Sequence, residues 1–106
     1  MSDFNQQHNR AVWFDIPVVN LDRAINFYTH VLSIKIQKET YGDMQFALLE
    51  HDKGNGGCLV PRPDEVTADK GVMLYLNVNG RLERAVEETV AHGGKIIDPI
   101  HSIGPL

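Results

Sequence analysis

Trp13-Phe14-Asp15-Ile16-Pro17-Val18, followed by Asn20-Leu21-Asp22-Arg23-Ala24-Ile25-Asn26-Phe27-Tyr28-Thr29-His30-Val31-Leu32, is the stretch on which the fold turns. From Ala11 to Val18 the residues alternate, with Val12, Phe14, Ile16 and Val18 on one face and Trp13, Asp15 and Pro17 on the other. Such a period of two is that of a strand with one apolar face. Pro17 has no N–H to donate, which places it near a strand end or on an unpaired side. Beyond it the period changes. Asn20 is a good helix N-cap, Asp22 suits the positive helix start, and Leu21, Ala24, Ile25, Tyr28 and Leu32 recur at helical spacing. A helix over about Leu21 to Val31 follows.

Working outward, Ile34 to Glu39, Met44 to Glu50 and Gly57 to Val60 read as three strands, separated by Tyr-Gly-Asp and by the glycine-rich turn at Lys53 to Gly57. Pro61, Pro63, Asp64 and the polar run to Lys70 form a linker. The pattern then restarts: Val72 to Val78 alternates as a strand, and Asn79 resembles a cap. Leu82, Ala85, Val86, Thr89 and Val90 form an apolar helical stripe, and Gly93-Gly94 stops it before Lys95, Ile96 and Ile97. Leu21-Asp22-Arg23-Ala24-Ile25 is echoed by Leu82-Glu83-Arg84-Ala85-Val86, as an internal duplication would produce.

The chain has 106 residues, enough for one hydrophobic core and too few for two. Its 42% hydrophobic and 23% charged residues are ordinary for a globular domain, and no apolar run is long enough for a membrane helix. A formal net charge of −4 with no Lys/Arg cluster argues against nucleic acid as a partner. The polar stretch 1–10 lacks the apolar core of a secretory signal, and Cys58 is the only cysteine, so a cytoplasmic location is expected. The expected organisation is a polar tail over 1–10 and a single domain over 11–106, with a first module at 11–61 and an incomplete second at 71–106.

The run from Trp13 to Val18, then Asn20 to Ala24, Phe27-Tyr28 and Val31-Leu32, resembles the opening module of vicinal oxygen chelate proteins, the glyoxalase, bleomycin resistance protein and extradiol dioxygenase superfamily. Gly56-Gly57-Cys58-Leu59-Val60 resembles the fourth strand of that module, and Gly93-Gly94-Lys95-Ile96 the turn after the second helix. The resemblance implies an α+β fold of paired βαβββ modules whose strands curve into a cup, here with the second module truncated before Leu106. It also implies where metal-dependent members hold their ion. Those positions fall on Trp13, near Met73, and among Gly57, Cys58 and Leu59, while the last family ligand lies beyond Leu106. Neither an indole N–H nor a thioether suits a hard or borderline divalent ion, so no metal and no cofactor are expected.

Polar candidates remain. His8, His30, His51, His92 and His101 are scattered, with His30 and His92 near helix C-termini. His51 has acidic neighbours in Glu50 and Asp52, which makes a general base conceivable there. Cys58 reads as a packed thiol. On the face expected to be concave, Trp13, Asp15, Met73, Tyr75 and Asn77 form a wall combining stacking surface with a few orienting polar groups, as small-molecule pockets do. Trp13 is expected to be substantially buried within it. The leading expectation is a metal-free protein that binds a small-molecule ligand through these five residues. One alternative is a metal-dependent lyase, isomerase or dioxygenase of the same superfamily, using His51, Glu50 or Cys58. Another is a paralogue whose role is self-association. Counting strands also predicts a homodimer, because the second half should leave an open edge with Leu74 and Leu76 partly uncovered.

Overall fold

The structure is a computed structural model and describes residues 10–102. The tail at 1–9, which includes His8, and residues 103–106 lie outside the described residues. Along the chain run strand β1 (Trp13–Val18), helix α1 (Leu21–Leu32), strands β2 (Ile36–Tyr41), β3 (Met44–Leu49) and β4 (Gly56–Pro61), a single 3-10 turn (Pro63–Glu65) and helix α2 (Leu82–Ala91). This is an α+β fold, and the first half has the expected order of strand, helix and three strands.

Local chemistry explains these boundaries. The Arg23 N–H donates to Asn20 Oδ1 at 3.0 Å, so Asn20 starts α1 as a side-chain cap. Ser33 ends the helix with a left-handed φ of 54°. Gly42, at a φ of 62°, makes the tight turn between β2 and β3.

The four strands form one sheet in the order β1-β4-β3-β2. β1 and β4 are parallel, while β2–β3 and β3–β4 are antiparallel. The α1 crossover and the β2–β3 hairpin thus separate two strands that end side by side. The core lies between the sheet and α1: Val18, Leu21, Ala47, Leu49 and Leu59 are buried, with Phe14, Ile16, Ala24, Ile25, Tyr28, Ile34 and Ile36 packed around them. Ala47 and Leu59 face each other across β3 and β4 and are both fully buried. Gly57 belongs to this face too, since a Cβ there would come within 2.6 Å of the Phe14 ring.

The second half departs from the expectation. Val72 to Val78 forms no strand, nor does Lys95 to Ile97. Alternation survives as burial, with Leu76 and Val78 half-buried between exposed Tyr75, Asn77 and Asn79. A strand also needs a partner ladder, and among the described residues the outer edge of β1 is not paired with this segment. Leu74 is 43% exposed, so the expected uncovering of this segment is present.

Helix α2 is anchored differently from α1. Its N-cap is Arg81, which makes no side-chain cap bond, and not Asn79, whose N–H donates to Asn77 Oδ1 at 2.8 Å. Arg81 instead reaches α1, its Nη1 donating to the Val31 carbonyl at 2.6 Å. At the other end Gly93 takes a φ of 93° and the Gly94 N–H returns to the Thr89 carbonyl at 2.7 Å, the expected glycine stop. α2 packs on α1. Among the described residues, no helix is long and apolar enough to cross a membrane.

Candidate functional site

The register of β1 against β4 assigns side chains to faces. Trp13 pairs with Gly56, Asp15 with Cys58 and Pro17 with Val60. These six share the face opposite the core, because the intervening Phe14, Ile16 and Leu59 pack toward α1. Cys58, and neither Gly57 nor Leu59, is therefore the fourth-strand residue on the open face. A one-residue choice left undecided by the sequence is decided by the parallel pairing.

Trp13 is 46% exposed, which corrects the expectation that it is substantially buried. Phe14 and Ile16 occupy the core, and no layer covers the other side of β1. The indole is nevertheless braced: the His51 ring meets it edge-on, with centroids 6.0 Å apart and an interplanar angle of 83°. His51 finds room because Gly56 has no side chain; a Cβ there would collide with the imidazole. His51 thus enters the site as part of its aromatic wall. Its neighbour Glu50 is engaged elsewhere, with Oε1 accepting from the Lys35 N–H at 3.0 Å, so the carboxylate clamps a strand end.

Beside the indole, the Cys58 thiol donates to Asp15 Oδ1 at 3.1 Å. Burial first, and the adjoining Asp15 carboxylate second, push the thiol from its ordinary 9.0 up to about 11. The Trp13 indole and the Arg62 charge pull in the opposite direction and do not prevail. Cys58 is consequently a protonated thiol at neutral pH, whereas nucleophilic attack and metal ligation both require a thiolate. The open face does not suit the metal of the metal-dependent relatives. Trp13 can only donate, Cys58 holds its proton, and among the described residues no group of three or more His, Cys, Asp or Glu could hold an ion.

A cleft of about 770 Å³ runs along β1, lined by Trp13 and Asp15 on the strand, by Tyr28 of α1, and by Val66, Val72 and Leu74 of the segment that follows the 3-10 turn. Trp13 and Asp15 are thus brought together at one opening. Met73, Tyr75 and Asn77 are not part of its lining; all three are exposed on the unpaired segment, Met73 and Tyr75 at 76% and 78%. Sequence reasoning did not place His51 on this wall or Cys58 against Asp15. The available signal was glycine at position 56, a gap in an otherwise bulky strand.

Comparison with known proteins agrees with this architecture. A glyoxylase-like domain-containing protein of Didymella fabae is 26% identical over 105 residues, spanning 92% of this chain and 79% of the relative. The solved structure of the hypothetical protein SA1046 from S. aureus superposes with a TM-score of 0.68 at 21% identity, covering 93% of this chain and 82% of that one, a likeness of fold. Because the sequence pattern of the Glyoxalase/Bleomycin resistance protein/Dioxygenase superfamily matches residues 10–105, nearly the whole of the sequence, the chain belongs to that superfamily.

Proposed function

We propose that this protein binds a small planar molecule on the open face of its sheet without a metal, with Trp13 as the stacking platform and Asp15 as the acceptor that orients it. The observation carrying this reading is a half-exposed indole, held edge-on by His51 and set beside a carboxylate at the mouth of an open cleft. A large aromatic surface left in water gains most when a ring stacks on it. Asp15 accepts hydrogen bonds, so the ligand presents an N–H or O–H in the plane of its ring. Met73, Tyr75 and Asn77 close over the ligand from the second half when segment 72–78 settles against β1. The protein acts in the cytoplasm, where a lone reduced cysteine is ordinary.

Trp13 is the only tryptophan, so its fluorescence reports this site alone. Titration with a panel of planar heteroaromatic donors, in the presence of a chelator, is expected to give saturable quenching at micromolar concentrations, weakened about tenfold in Asp15→Asn, the loss of one charge-assisted hydrogen bond. Quenching that disappears with the chelator would refute the metal-free reading, and no saturation by any member would refute the ligand class.

The same reading includes a homodimer. An unpaired β1 edge and an extended, unpartnered 72–78 segment in one chain are complementary between two copies. Light scattering at low micromolar concentration is expected to give twice the chain mass, and a non-aggregating monomer would exclude it.

A further inference from the structure

Away from the sheet's open face, two histidines from different helices lie against each other. His30 is in the last turn of α1 and His92 caps the end of α2; their rings stack with centroids 4.2 Å apart and 20° between planes. His30 Nδ1 lies 2.7 Å from the Asn26 carbonyl and His92 Nδ1 lies 3.0 Å from the Glu88 carbonyl. A carbonyl oxygen can only accept, so Nδ1 carries the proton in both rings, and in the neutral imidazole Nε2 keeps its lone pair. No described residue bonds to either Nε2.

From this arrangement we propose that His30 and His92 form a binding site for a borderline divalent transition ion such as Zn²⁺, which staples the end of α1 to the end of α2. Pinning Nδ1–H on a backbone carbonyl or a carboxylate is the support that metal-bound histidines characteristically have. Here it is present twice, and His92 has a carboxylate as well: Glu88 Oε2 is 3.3 Å from its Nδ1, while Arg84 holds Glu88 Oε1 at 3.0 Å. Two metal–nitrogen bonds of about 2.0–2.1 Å span up to about 4 Å, which matches the ring stacking. Both helices also direct their negative ends to this spot, which favours a cation. Water completes the coordination. The site is independent of the proposed ligand at Trp13.

The test is equilibrium dialysis of the full chain against Zn²⁺ slightly above neutral pH, with Mg²⁺ in excess. The expected result is one zinc per chain, with affinity reduced more than about tenfold in His30→Ala and in His92→Ala, and about tenfold in Glu88→Gln, the effect of losing an outer support. His51→Ala is expected to bind as the wild type does. His30 is exposed, so His30→Ala should keep its zinc-free melting temperature, and in the wild type zinc should raise that temperature and slow amide exchange in α2. Zinc retained by His30→Ala, zinc lost from His51→Ala, or no saturable uptake by the wild type would each overturn the proposal.

Discussion

The two halves start from nearly the same sequence pattern and reach different structures. In the first, an alternating segment becomes β1 because β4 lies parallel to it, and the following helix begins on a side-chain cap. In the second, an alternating segment stays unpaired, and the following helix begins at Arg81 without one. Periodicity states what a segment can bury; a neighbour decides whether it becomes a strand. The half with four paired strands therefore carries the fold, and the other half is attached to it largely through α2 on α1.

The largest expected contrast is in the core. Leu59→Ala removes a fully buried side chain and should destabilise by about 2–5 kcal/mol, whereas Leu74→Ala, at a position already 43% exposed, should cost under about 1 kcal/mol. Chemical denaturation of both variants measures this, and equal losses would break the comparison. Gly57→Ala comes next. Its methyl would press on the Phe14 ring and should cost about 1–3 kcal/mol by overpacking.

The helix starts offer a smaller and sharper contrast. Asn20→Ala deletes a cap bond and should cost about 1 kcal/mol, while Asn79→Ala should stay within about 0.5 kcal/mol because Asn79 caps nothing. The smallest effect is confined to alkaline pH. The folded state holds the Cys58 thiol at about 11 against an ordinary 9.0, so the protonated thiol stabilises the fold fully below about pH 9. That contribution falls away as pH rises toward about 11. Melting temperatures across that window should decline more steeply in the wild type than in Cys58→Ala, and parallel curves would remove the thiol from the account.

Much of the first half was legible in its residues. Asn20, Asp22 and the Leu21-to-Leu32 stripe placed α1 to within a residue of its end, and Gly93-Gly94 marked the stop of α2. Local chemistry sets such features, so local sequence reveals them. Segment 72–78 was not legible, because whether a strand forms is a question about its neighbours. The site divides in the same way. Trp13 and Asp15 could be put on one face by alternation alone. The placement of Cys58 beside Asp15 required the β1–β4 register, and that of His51 beside Trp13 required knowing that Gly56 lies under the imidazole.

The pairing of β1 with β4 also governs the order of assembly. Asp15 and Cys58 are 43 residues apart in the chain, whereas β2 and β3 meet across a turn of two residues, Gly42 and Asp43. Closing the longer loop costs more entropy before any contact compensates it, so the hairpin and α1 can organise first and β1 docks afterwards. Trp13 rides on that late strand. In stopped-flow refolding its fluorescence should lag behind the far-ultraviolet circular dichroism signal, and simultaneous traces would contradict this order. A nascent chain that has already formed its hairpin and helix would then still have no binding face, which is completed only when its earliest-synthesised strand returns to lie beside β4.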